Sequence, residues 1–106
     1  MANVLTRLAR KIEERKGGDE ENSYAAKLFA RGPEKCAEKF GEEAIEAIIE
    51  AVKGDSEKLT EEAADVLFHF LVMLSSRGVK WEDVLSELER REGTSGIVEK
   101  ASRSSK

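Results

Sequence analysis

The sequence predicts an all-α fold, a bundle of four to five helices completed by dimerisation. Three observations carry this. Apolar residues recur at i, i+3, i+4, i+7 through most of the 106 residues. Ala, Leu, Glu and Lys dominate while β-branched residues are sparse, which disfavours a sandwich or barrel. The eight glycines and single proline fall mostly at junctions between periodic runs, where helices stop and start. The length suits one domain, and a hydrophobic content of 40% supplies a core, which argues against wholesale disorder.

Leu5, Leu8, Ala9 and Ile12 form the stripe of a first helix, which Gly17-Gly18 ends. The acidic run from Asp19 to Asn22 is a loop. Ser23 is a plausible N-cap for a short second helix through Leu28 and Phe29. Gly32-Pro33 stops it, and Pro33 is suited to open the next. The third helix runs from about Glu34 to Lys53, with Ile45, Ile48, Ile49 and Val52 as its apolar face. Gly54 ends it, and Asp55 or Ser56 caps a fourth helix from about Glu57 to Arg77. A last helix carries Trp81, Val84, Leu85 and Leu88. Residues 1–91 therefore read as the helical domain and 92–106, rich in Ser, Gly and charge, as a C-terminal tail or docked arm.

The fourth helix predicts assembly. Val66, Leu67, Phe68, Phe70, Leu71, Val72, Met73 and Leu74 cover almost its whole circumference. A helix apolar all round must be surrounded, and so short a chain has too few other helices to enclose it. A symmetric homodimer burying this helix between subunits is expected.

Composition also narrows function. A net charge of −4 argues against a general nucleic-acid coat, though not against a local basic pocket. The lone Cys36 excludes an internal disulfide and a cysteine-based zinc site. The segment Met1–Arg7 lacks the apolar run of a signal peptide, and Val66–Leu74 is far short of the ~20 residues that span a bilayer. A cytoplasmic setting without membrane association is the expectation.

Carboxylates carry the chemical signal. The third helix holds Glu42, Glu43 and Glu46 in the pattern E-E-x-x-E, within an arc of about 100° beside the isoleucine face. The fourth holds Glu62 and Asp65 in E-x-x-D, and with His69 they make a narrow polar stripe on an otherwise apolar cylinder. E-E-x-x-E alone is common on solvated helices; E-x-x-D inside an apolar helix is more telling, and the two on consecutive helices point to a shared site. Charges so placed need partners. Lys39 and Lys58 are too few for five carboxylates, whereas a hard cation removes the repulsion directly. All-oxygen ligands favour Mg²⁺, or Mn²⁺, over zinc or copper. A di-iron site would want Glu-x-x-His, but Val66 stands three residues before His69. His69 either orients Asp65, reaches a phosphate, or is a satisfied structural residue. Four or five carboxylates suffice for two or more Mg²⁺ ions, an arrangement suited to displacement at phosphorus. Arg15, Lys16, Lys27, Arg31, Lys35 and Lys39 are available cations, most of which read as an ordinary solvated face.

These motifs resemble the all-α nucleotide pyrophosphohydrolase superfamily, the MazG-like and dimeric dUTPase group. Within it the chain is similar to the phosphoribosyl-ATP pyrophosphohydrolase family, through Ser23-Tyr24 with Leu28, Lys39 to Ala44, Glu62 to His69, Asp83 to Leu85, Leu88 to Arg91, and Ser95 to Arg103. Members often carry Tyr where this chain has Phe68. The resemblance implies Mg²⁺-dependent hydrolysis of phosphoribosyl-ATP to phosphoribosyl-AMP and pyrophosphate by a helical dimer. It implies Glu43, Glu46, Glu62 and Asp65 as metal ligands and Glu42 as a group that supports them or deprotonates water. Lys39 and Arg15 are then candidates for phosphate contacts, and Ser23 and Tyr24 for the pocket wall, although Ser23 equally suits a pure helix cap. Two other readings stand beside this one: a house-cleaning nucleoside triphosphate pyrophosphohydrolase of the same superfamily, and a non-catalytic helical dimer.

Overall fold

The structure, a computed structural model, describes residues 3–93. Five helices follow one another: α1 (Val4–Glu14), α2 (Tyr24–Arg31), α3 (Pro33–Lys53), α4 (Ser56–Ser76) and α5 (Trp81–Glu92). No strand occurs among the described residues, and none of their helices is long and apolar enough to cross a membrane. The all-α expectation is met. The arm expected over 92–106 lies, from residue 94 onward, outside the described residues; Glu92 is the last residue of α5 and Gly93 caps it.

Local chemistry sets the helix ends. The side chains of Asn3, Ser23 and Asp55 accept the N–H groups of Thr6, Ala26 and Lys58 at 3.0, 3.1 and 3.0 Å, so each satisfies a donor that the first turn leaves free. Gly54 closes α3 with φ +79°, its N–H turned back to the carbonyls of Glu50 and Ala51. Gly32, at φ +97°, makes the sharp junction between α2 and α3, with Pro33 opening the latter. The first helix stops earlier than its Gly17-Gly18 signal, because Arg15 N–H bonds the carbonyl of Ile12 and tightens the last turn.

The core sits where α1, α2, the first turn of α3 and the C-terminal half of α4 meet. Ile12, Ala25, Leu28, Cys36, Leu71 and Val72 are buried together, with Phe29, Phe68, Met73 and Trp81 packed around them. The Cys36 thiol donates to the Leu28 carbonyl at 3.4 Å, and burial pushes its pKa up. Ser75 donates to the Glu13 carboxylate, joining α4 to α1 and holding Glu13 below the usual carboxylate range.

One sequence expectation changes. The aliphatic stripe of α3 does not pack against the other described residues: Ile45, Ile48, Ile49 and Val52 are 58, 60, 48 and 82% exposed. Instead α3 turns half-buried Glu43, Ala44, Ala47 and Glu50 toward half-buried Leu59, Glu62 and Val66 of the antiparallel α4. Small alanines let the two backbones approach, so periodicity found a face but not the one this seam uses. Among the described residues of one chain, α4 is only partly enclosed. Only His69, Leu71, Val72 and Ser75 are buried on it, and Leu67 is exposed. The distal half of the α3–α4 hairpin projects from the core, in keeping with a radius of gyration of 15.8 Å against roughly 12–13 Å for a compact domain of this length.

Replacing Leu71 by Ala should lower unfolding free energy by about 2–5 kcal/mol, because the side chain is fully packed. Urea denaturation checks this; a loss below about 1 kcal/mol would place the core elsewhere.

Candidate metal centre and flanking cavities

Glu43 and Glu46 stand one turn apart on α3, and Glu62 and Asp65 one turn apart on α4. The antiparallel hairpin brings the two pairs level. One oxygen each from Glu43, Glu62 and Asp65 lies within 4.8 Å of the other two. Such a set fits a small hard cation, since Mg²⁺–oxygen distances near 2.1 Å put ligands on opposite sides of an ion about 4.2 Å apart. Glu46 stands beside the group, near enough to Glu62 to act on its carboxyl. That interaction, then partial burial, then the charges of Glu46, Asp65 and Glu43 push Glu62 up to about 7. Around pH 7, without a cation, Glu62 therefore passes between its protonated and charged forms.

Glu42 has a different partner. Lys39 Nζ bonds it at 3.1 Å, which lowers the pKa of Glu42 and raises that of Lys39. Four of the five carboxylates singled out from the sequence thus converge, and the fifth stands beside them on a lysine.

His69 is buried behind this group. Its Nδ1 is 2.8 Å from the backbone carbonyl of Asp65, and Nε2 is 3.1 Å from the Tyr24 hydroxyl. A carbonyl only accepts, so Nδ1 carries the proton and Nε2 accepts from Tyr24. His69 therefore meets the main chain of Asp65 and not its carboxylate. Both ring nitrogens are occupied, and it acts on the site's wall by fixing Tyr24. The Tyr24 ring also stacks on Phe68, with centroids 5.9 Å apart.

Tyr24 stands between two cavities. One, of about 220 Å³, is lined by Arg15, Ser23 and Tyr24 together with Leu8, Lys11, Ile12, Ala25 and Phe68. Ser23 reaches it while capping α2. The other, of about 180 Å³, is lined by Tyr24, Lys27, Leu28, Arg31, Lys35 and Lys39. The convergence of Lys27, Arg31 and Lys35 escapes a reading that treats them as a solvated face. Its trace in the sequence is a pair of i, i+4 rows, 27/31 and 35/39, on either side of Gly32-Pro33. Lys16 belongs to neither cavity; it pairs with Glu13 and lies over the Phe29 ring. A larger cavity of about 330 Å³, beside Glu13, Ser75 and Trp81, contains none of the four clustered carboxylates, so size does not mark the site.

Residues 5–92 match the family model described as phosphoribosyl-ATP pyrophosphohydrolase. The chain is 67% identical over 101 residues to a phosphoribosyl-ATP pyrophosphatase of Cereibacter sphaeroides, covering 95% of this chain and 98% of that one. It is 69% identical to the protein of that name from Dinoroseobacter shibae, covering 95% and 99%. For the one from Ruegeria pomeroyi the identity is 66%, covering 95% and 96%.

The retained proton has a thermodynamic signature. A carboxyl whose pKa is higher folded than unfolded stabilises the fold below its ordinary value of 4.5, and that contribution is lost as pH rises through about 7. In EDTA the melting temperature should fall between about pH 5 and 8, and Glu62→Gln should flatten the profile. Thermal unfolding across pH checks this; a flat wild-type profile would mean that no proton is held there.

Proposed function

The chain belongs to the phosphoribosyl-ATP pyrophosphohydrolase family, and we propose on that premise that it hydrolyses phosphoribosyl-ATP between its α and β phosphates, yielding phosphoribosyl-AMP and pyrophosphate as the second step of histidine biosynthesis. The observation that carries this reading is the meeting of Glu43, Glu62 and Asp65, with Glu46 beside Glu62, on two adjacent helices. In this proposal those four carboxylates hold Mg²⁺, for which Mn²⁺ can substitute. Bound there, the ions neutralise phosphate charge and lower the pKa of an attacking water. The donor set suits them: oxygen only, acidic, and partly open to water and phosphate.

The remaining roles belong to the chain's own groups. Lys39 and Arg15 contact phosphate oxygens. When a phosphate competes for Lys39, the carboxylate of Glu42 is freed to orient water and accept its proton. Tyr24, with its own proton committed to His69, keeps its oxygen as an acceptor at the pocket wall. Ser23 caps α2 and offers its hydroxyl hydrogen to the same wall.

The working unit in this proposal is a cytoplasmic homodimer. Four exposed aliphatic side chains in one row on α3, with exposed Leu67 on α4, make a patch that monomers rarely leave open. Closing it on a two-fold copy also covers the projecting hairpin that bears the carboxylates.

Incubating the protein with Mg²⁺ and either phosphoribosyl-ATP or common nucleoside triphosphates, then measuring pyrophosphate, tests the reading. Phosphoribosyl-ATP should be the preferred substrate; preference for another triphosphate would redirect the assignment within the superfamily. Glu46→Ala and Asp65→Ala should each reduce turnover by about 100-fold or more while the assembly survives. Full activity in both would overturn the metal assignment. Ile48→Asp should give a monomer by sedimentation, and an unchanged mass would remove α3 from the interface.

A further inference from the structure

We propose that the cavity between α2 and the start of α3 is a phosphate-monoester subsite, and that Lys27 and Arg31 are its specificity-determining residues. The proposal rests on the function above, because it names which part of that substrate the cavity takes.

The cavity is made by two rows of cations. Lys27 and Arg31 are one turn apart on α2, Lys35 and Lys39 one turn apart on α3, and the Gly32-Pro33 junction turns both rows onto one space beside Tyr24. Their charges are unequally compensated. Lys35 pairs with Glu38 at 3.4 Å and Lys39 with Glu42 at 3.1 Å. Among the described residues, Lys27 and Arg31 make no ion pair. Two uncompensated positive charges thus face a small cavity in a chain whose net charge is −4. A phosphate monoester carries about −1.5 to −2 at pH 7, which matches them. Arg31 supplies a planar fork of donors suited to two phosphate oxygens, and Lys27 a point charge beside it.

Position selects the phosphate. Lys35, Lys39 and Glu43 succeed one another at four-residue intervals along α3, so the far side of the cavity lies about 12 Å along the helix from the carboxylate cluster at 1.5 Å per residue. The anhydride to be cleaved belongs beside the carboxylate cluster that would hold the ions, with Lys39 reaching it from the near side. A phosphate held by Lys27 and Arg31 then hangs from another part of the molecule. Phosphoribosyl-ATP has such a group, the 5-phosphate of the ribose on its adenine, and a plain nucleoside triphosphate does not. Binding energy taken from that group separates the substrate from ATP without touching the reacting centre.

Calorimetric titration of the full chain with phosphoribosyl-AMP and with AMP, both in Mg²⁺ buffer, tests the assignment. The wild type should favour phosphoribosyl-AMP by about tenfold or more, and Lys27→Ala/Arg31→Ala should reduce that preference to within about twofold. Arg31→Lys should recover part of it. Both side chains are exposed, so unfolding should not intervene, and the melting temperature verifies this. No preference in the wild type, or equal weakening of both nucleotides in the double variant, would overturn the subsite. A protein that prefers phosphoribosyl-AMP yet releases no pyrophosphate from phosphoribosyl-ATP would overturn the proposed reaction and leave the subsite standing.

Discussion

Mutual repulsion among carboxylates on the α3–α4 hairpin is the constraint around which this molecule is arranged. Acidic side chains on a solvated helix normally spread apart, because each gains more from water than from its neighbours. Here the helix spacing of Glu43 and Glu46 matches that of Glu62 and Asp65, and the antiparallel pairing makes the two sets meet. Glu62 relieves the crowding by keeping a proton, at a pKa near 7. A divalent cation does the same thing more completely and leaves every oxygen available as a ligand. The proposed chemistry follows from which of these two solutions prevails.

The rest of the chain serves to hold that hairpin. Its inner half is anchored by Leu71, Val72 and Cys36 against α1 and α2, and the Ser75–Glu13 hydrogen bond adds a polar tie. The same anchoring brings α2 across the hairpin. Tyr24 thereby reaches His69, and the cavity walls on either side of Tyr24 arise from the junction at Gly32. Phe68 stacks on Tyr24 from the same side of the wall, while the Tyr24 hydroxyl is turned to His69.

Much of this was legible in the sequence, for identifiable reasons. Helix ends follow from backbone chemistry that a single residue supplies, so Ser23, Asp55, Gly54 and Pro33 announced their boundaries. The meeting of Glu43 with Glu62 and Asp65 followed from helical spacing and a two-residue turn. What periodicity conceals is which neighbour a face meets. The Ile45/Ile48/Ile49/Val52 stripe has the pattern of a core face, yet Ala44 and Ala47 make the seam, because close backbone approach favours small side chains over large ones. His69 was ambiguous for a similar reason. Its bond to a main-chain carbonyl carries no mark in the identity of Asp65. Lys27 and Arg31 look like surface charge until the Gly32 junction folds their row against Lys35 and Lys39.

The third helix has two opposite duties within a few turns. Glu43 and Glu46 look one way and the branched aliphatics from Ile45 to Val52 another, on a stretch that little else in the chain supports. If a second copy covers those aliphatics and stiffens the rod that bears the carboxylates, pairing favours ion loading, and loading favours pairing by the same factor. Dilution would then act as a dial on catalysis: separated protomers would have a looser cage for the cation before any of them unfolded.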